Sequence, residues 1–72
     1  MPKYVKTSDN QLYAYAEGYT LQFEDDEWIL CSIMFSMLEC EAGTTEISED
    51  DMLSLTEGRA VEPALKLIKA IF

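Results

Sequence analysis

Seventy-two residues carry fourteen Asp or Glu against five Lys or Arg and no His, a formal net charge of −9 on a chain that is 49% hydrophobic. This length allows one compact acidic domain over residues 1–72 and leaves little room for a deep active site, because a chain of this size buries only about 60% of its unfolded surface. The aliphatic and aromatic content excludes a disordered acidic tail.

Lys3 and Lys6 lead into Thr7, Ser8, Asp9, Asn10 and Gln11 rather than into the apolar core of a signal peptide. The longest apolar run, Trp28 to Leu38, is broken by Ser32 and Ser36 and falls short of the roughly 18 residues that suggest a membrane span. The expected location is therefore the cytoplasm. There Cys31 and Cys40 read as unpaired, buried or half-buried thiols. Placed on one helix, they stand on opposite sides and about 13 Å apart along its axis, too far for a disulfide.

Residues 3–24 carry strand signals. The first strand is expected from Lys3 to Thr7, with a turn at Ser8, Asp9 and Asn10, whose side chains bond their own backbone. The second runs from Gln11 to Glu17, with Leu12, Ala14 and Ala16 on one face and Tyr13 and Tyr15 on the other. Gly18 supplies the next turn, and the third strand, Tyr19 to Glu24, puts Leu21 and Phe23 on one face before the acidic cluster Glu24, Asp25, Asp26 and Glu27.

Segment 27–40 fits two templates. As a strand it presents Ile29, Cys31, Ile33, Phe35 and Met37 on one side. As a helix its polar positions Ser32, Ser36 and Glu39 share a face. Frequent Met and Leu, a cap at Asp25 or Asp26 and Gly43 beyond the end favour helix, although Glu39 and Glu41 oppose its dipole. Over 47–58 the reading is a helix opened by a capping box of Ser48 and Asp51 with an Ile47 and Met52 staple, and stopped by Gly58. A last helix from about Ala60 to Ile71 accepts Pro63 in its first turn and carries the stripe Val61, Leu65, Ile68 and Phe72, with Glu62, Lys66 and Lys69 on its wet side. The expected fold class is α+β, a small three-stranded antiparallel sheet followed by two or three helices.

The missing His, and the lack of any partnered nucleophile, argue against an enzyme. Two cysteines make no zinc site, and no acidic stretch has the alternating ligands and central Gly of a calcium loop. With no Gly-rich phosphate loop and no basic patch, neither a cofactor nor direct nucleic-acid binding is expected.

Charge placement is more informative. Thirteen of the fourteen acids lie from Asp9 to Glu57, Glu62 being the other, and no Lys or Arg occurs in that interval. Such a surface steers toward basic partners, and the nucleic-acid grooves of enzymes and regulators are the commonest large basic surfaces. Carboxylates a helical turn apart, or two residues apart on a strand, are spaced by about 6 to 7 Å, as phosphates are along one DNA strand. The rival account is solubility and capping, which already explains Glu49, Asp50 and Asp51, while Glu24 to Glu27 also suit a hairpin turn or helix start. Tyr13 and Tyr15 form an exposed aromatic patch if helices cover the opposite face, or are buried if helices cover theirs.

In composition alone the chain resembles the small proteins with which bacteriophages block host enzymes, among them anti-restriction, anti-CRISPR and polymerase inhibitors. The resulting expectation is a non-enzymatic inhibitor that mimics a polyanion. It would grip a basic protein, such as a host nucleic-acid enzyme, through Glu24, Asp25, Asp26, Glu27, Glu39, Glu41, Glu46, Glu49, Asp50, Asp51, Tyr13 and Tyr15. The alternative is an assembly module, a homodimer or small subunit held by the exposed part of Trp28 to Leu38.

Overall fold

The computed structural model describes residues 2–71, so Phe72, assigned above to the last apolar stripe, lies outside the described residues. In chain order the elements are β1 (Lys3–Lys6), β2 (Leu12–Ala16), β3 (Tyr19–Glu24), β4 (Glu27–Cys31), α1 (Phe35–Glu39), β5 (Thr45–Ile47), α2 (Glu49–Leu55) and α3 (Glu62–Ile71). The class is α+β, but the sheet has five strands in the order β4-β3-β2-β1-β5, every neighbouring pair antiparallel, and not the three expected.

The first correction falls on 27–40, which divides into strand β4 and the short helix α1 instead of forming one helix. Its physical reason lies in the turn before it. Asp25 (φ 51°) and Asp26 (φ 63°) both adopt left-handed backbone, the geometry of a two-residue hairpin that matches strand twist, so the chain folds straight back onto β3. Phe23 then pairs with Trp28 across the strands, their rings 5.1 Å apart, and Leu21 with Leu30. Cross-strand pairing outweighs the helical preference of Met and Leu in this segment. The Asp25 and Asp26 side chains therefore serve a turn and cap no helix. The second correction is β5, whose Ile47 lies opposite Tyr4. Cys31 ends β4 half-buried while Cys40 caps α1 exposed; both are free, and the one-helix geometry assumed for them does not exist.

The hairpin between β2 and β3 is equally tight, with Glu17 (φ 51°) and Gly18 (φ 86°) in its loop. Between β1 and β2, the Thr7 N–H donates to the Gln11 carbonyl at 2.9 Å, and the Thr7 hydroxyl donates to the Asp9 carboxylate.

Alternation sorts the sheet into two faces. Tyr4, Leu12, Ala14, Ala16, Leu21 and Trp28 point to the side covered by α2 and α3, where they pack with Met52, Val61, Leu65 and Ile68. The Ser48 hydroxyl accepts the Asp51 N–H at 3.1 Å, and Ile47 packs into the cluster that holds Met52. At the end of α2, Glu57 (φ 56°) is left-handed and the Gly58 N–H reaches back to the Leu53 carbonyl at 2.7 Å, a Schellman closure. The Trp28 indole N–H donates to the Arg59 carbonyl at 2.8 Å, tying β4 to the link between α2 and α3.

The second face is covered only in part. Here Phe35 and Leu38 of α1 bury Val5 and Tyr13 on the β1–β2 half of the sheet. On the β3–β4 half of this face Cys31 packs in part against that cluster and Thr20 is buried, while Ile29 is exposed.

Candidate functional site

The register places the predicted residues row by row. Glu24 and Glu27 stand directly opposite each other, flanking Asp25 and Asp26, so all four acids crown one hairpin tip. Side chains opposed in this way have Cβ atoms about 5 Å apart, and like charges there repel. The Arg59 guanidinium Nε donates to the Asp26 carbonyl at 2.8 Å, a bond to backbone that leaves the four carboxylates unpaired by it.

The loop of the β1–β2 hairpin lies at the same end of the sheet, since Leu12 is level with Phe23 and Trp28. It brings Asp9 there. Thr45 pairs with Lys6 in that row, which leads the preceding loop, with Glu41, to the same end, and Glu46 faces the half-covered side opposite Val5. The Tyr13 phenol registers this gathering: burial first, then Cys31, Asp9, Glu41 and Glu24, push its pKa upward. The Asp9 carboxyl is held below its ordinary value, chiefly by the Thr7 hydroxyl.

Other predicted residues are placed elsewhere. Glu39 ends α1 with its carboxylate 3.9 Å from the Lys3 ammonium. Glu49, Asp50 and Asp51 occupy the first turn of α2 on the helix-covered side, where Glu49 accepts the Tyr4 hydroxyl at 3.3 Å. The acids thus form one concentrated group at the hairpin end and separate contributions beyond it. Tyr13, 9% exposed, is buried under α1, while Tyr15, 38% exposed, rests its ring 5.3 Å from that of Phe35. The aromatic patch therefore reduces to Tyr15.

The exposed part of Trp28 to Leu38, expected above as an assembly surface, resolves into particular residues. Ile29 and Leu30 of β4 are 37% and 43% exposed, and Ile33 and Met34 before α1 and Met37 within it are exposed as well. Leu30, Ile33, Met34 and Tyr15 line an open groove of about 790 Å³ between the β2–β3 turn and the start of α1, at the end of the sheet opposite the acidic tip. The available signal was the strand template for 27–40, which aligned Ile29 with Cys31. Among the described residues, no group of three or more His, Cys, Asp or Glu is arranged to hold a metal ion, the acidic tip included. Nor is any helix there long and apolar enough to cross a membrane.

No protein-family model, curated protein or solved structure matches this chain.

Proposed function

We propose that this protein is a small non-enzymatic inhibitor of phage type that acts in the host cytoplasm. In this reading it occupies a basic, nucleic-acid-binding surface of a host defence or nucleic-acid enzyme with the acidic end of its sheet. The observation that carries the reading is the convergence of Glu24, Asp25, Asp26 and Glu27 on one tip, with Asp9 and Glu41 on neighbouring loops. Four carboxylates on a tight turn, with no ion-pair partner among the described residues, present a dense negative field that a merely soluble surface does not need. Ile29, 37% exposed and two residues along β4 from Glu27, adds an apolar side chain beside the charged tip.

The test is capture from nuclease-treated bacterial lysate on immobilised protein at low salt, with elution by a salt gradient and by heparin. A variant carrying Glu24→Gln, Asp25→Asn, Asp26→Asn and Glu27→Gln runs alongside. One dominant partner that elutes with either agent, and that the variant fails to capture, supports the proposal. Capture that survives about 0.5 M salt and the neutralised tip refutes polyanion mimicry.

The exposed Ile29, Leu30, Ile33, Met34 and Met37 favour one second reading, an assembly module that buries them against a copy of itself or a larger complex. For a homodimer the melting temperature falls on dilution, whereas for a monomeric inhibitor it does not.

A further inference from the structure

β4 is the outermost strand of the sheet, and no strand among the described residues pairs with its free side. Glu24 and Glu27 flank a two-residue loop and so form a hydrogen-bonded pair. Alternation along the ladder then bonds Gln22 with Ile29 and Thr20 with Cys31, so the N–H and C=O groups of Trp28 and Leu30 point away from β3, Leu30 being 43% exposed and Trp28 7%. Natural edge strands are blunted by shortness, by Lys or Pro, or by bulges. The opposite edge, β5, is only three residues long and runs straight into α2. β4 has five residues, Glu-Trp-Ile-Leu-Cys, with neither Pro nor Lys and in unbroken register with β3. It is half-exposed on both faces, through Ile29 on one and Leu30 on the other. Its one charge, Glu27, belongs to the acidic tip.

We infer that the β4 edge is a strand-addition site, and that its occupant is an extended segment of the protein's partner with apolar residues on both faces and Lys or Arg at the end that meets Glu27. Main-chain bonds to Trp28 and Leu30 provide the docking. Burial of Ile29 and Leu30 on the two sides requires an occupant apolar on both. The acids of Glu24 to Glu27 require its basic end to lie at the tip. A second copy of this chain fits less well, because it brings a net charge of −9 against −9. The inference takes the charge of its occupant from the basic-partner reading, while the open edge stands apart from it.

The test uses the full chain and a capped peptide of alternating Val and Ile, apolar on both faces, ending in Lys-Arg-Lys, with an analogue ending in Gln-Gln-Gln. Binding and amide exchange are followed by NMR at low salt. The basic peptide is expected to bind roughly tenfold more tightly than the neutral one and to slow exchange of the Trp28 and Leu30 amides about tenfold. Ile29 and Cys31 amides, already bonded to β3, change little. Leu30→Pro, which removes an outward N–H that the sheet does not use, is expected to abolish binding. If that variant loses the circular-dichroism spectrum of the parent, the exchange rates of the unsubstituted chain decide alone.

Binding without added protection at Trp28 and Leu30 overturns strand addition and leaves the basic-partner reading standing. Equal binding of the two peptides overturns the basic occupant and, with it, the charge argument beneath. Protection of Trp28 and Leu30 in the peptide-free protein that disappears on dilution assigns the edge to a second copy and overturns the proposal.

Discussion

Replacing Asp26 by Gly tests whether the acidic tip is held against the preferences of its own backbone. Asp26 sits at φ 63° and Asp25 at φ 51° in the β3–β4 turn. Left-handed backbone costs an L-residue about 1 to 2 kcal/mol, less for Asp, whose side chain bonds locally. The preceding hairpin solves the same problem with Gly18 at φ 86°, so Asp26→Gly copies a turn this chain already uses. After allowance for the greater freedom of Gly in the unfolded chain, the conformational gain is about 0.5 to 1 kcal/mol. Removing one carboxylate about 6 Å from another relieves a further ~0.7 kcal/mol before salt screening. The bond from Arg59 goes to the Asp26 carbonyl and survives the substitution. The expected total is about 1 to 1.5 kcal/mol of stabilisation, and each kcal/mol raises the melting temperature by roughly 4 to 8 °C in a domain of this size. Asp26→Asn tolerates the same conformation and isolates the charge contribution. Urea and thermal unfolding of both variants, followed by circular dichroism, provide the assay. If Asp26→Gly is no more stable than Asp26→Asn, the backbone argument is wrong. If it is more stable yet captures less partner, the acids at this turn serve binding at the expense of the fold.

Three further outcomes are expected. Burial, followed by the nearby Glu49 carboxylate, pushes the Tyr4 phenol up to about 12 from an ordinary value of 10. The fold therefore favours neutral Tyr4; its contribution, on the order of 2 kcal/mol, is full below the unfolded pKa near 10 and is lost as pH rises through the folded value. Urea titrations between pH 8 and 12 should show this alkaline loss, reduced in Tyr4→Phe to the part that Tyr13, also raised, contributes; a loss in Tyr4→Phe as large as the parent's rules it out. Gly43→Ala should destabilise by about 2 kcal/mol or more, because Gly43 has φ 86° and an added Cβ would stand 2.7 Å from Ser8 Cβ; unchanged thermal stability would refute that fit. Thr44→Val should stabilise by about 1 kcal/mol, since the Thr44 hydroxyl oxygen is buried without a hydrogen-bond partner among the described residues, and a lower denaturation midpoint would contradict it.

Local chemistry made part of this molecule legible. Alternation over Leu12 to Ala16, the turn at Gly18, the Ser48 cap and the Val61, Leu65 and Ile68 stripe are each written within a few residues and are found there, although Glu17, expected in the second strand, belongs to the turn. β4 was hidden because its turn is Asp-Asp rather than the Asp-Gly or Asn-Gly that announces a tight hairpin. Its strand state also depends on β3. β5 is three residues long, and its partner β1 is some forty residues earlier, so no window of sequence contains both. The acidic tip was visible as a run of charge and Trp28 to Leu38 as an apolar segment, but which residues of that segment are exposed was not. Whether Ile29 is core or surface depends on which sheet face the helices take and how far five-residue α1 reaches.

β4 and β5 run in the same direction at opposite edges of the sheet, so the segment from Ser32 to Thr44 crosses the face that holds Val5 and Tyr13. The pairings β1–β2, β2–β3 and β3–β4 close over short loops, whereas β5 must find β1 across most of the chain. Local closures come first, so any molecule caught before the crossing shows a bare Val and Tyr face. That is the moment at which a small sheet is most prone to stick to its like. A net charge of −9 on every copy keeps such molecules apart, so the acidity attributed above to recognition also guards the path by which the fold is reached.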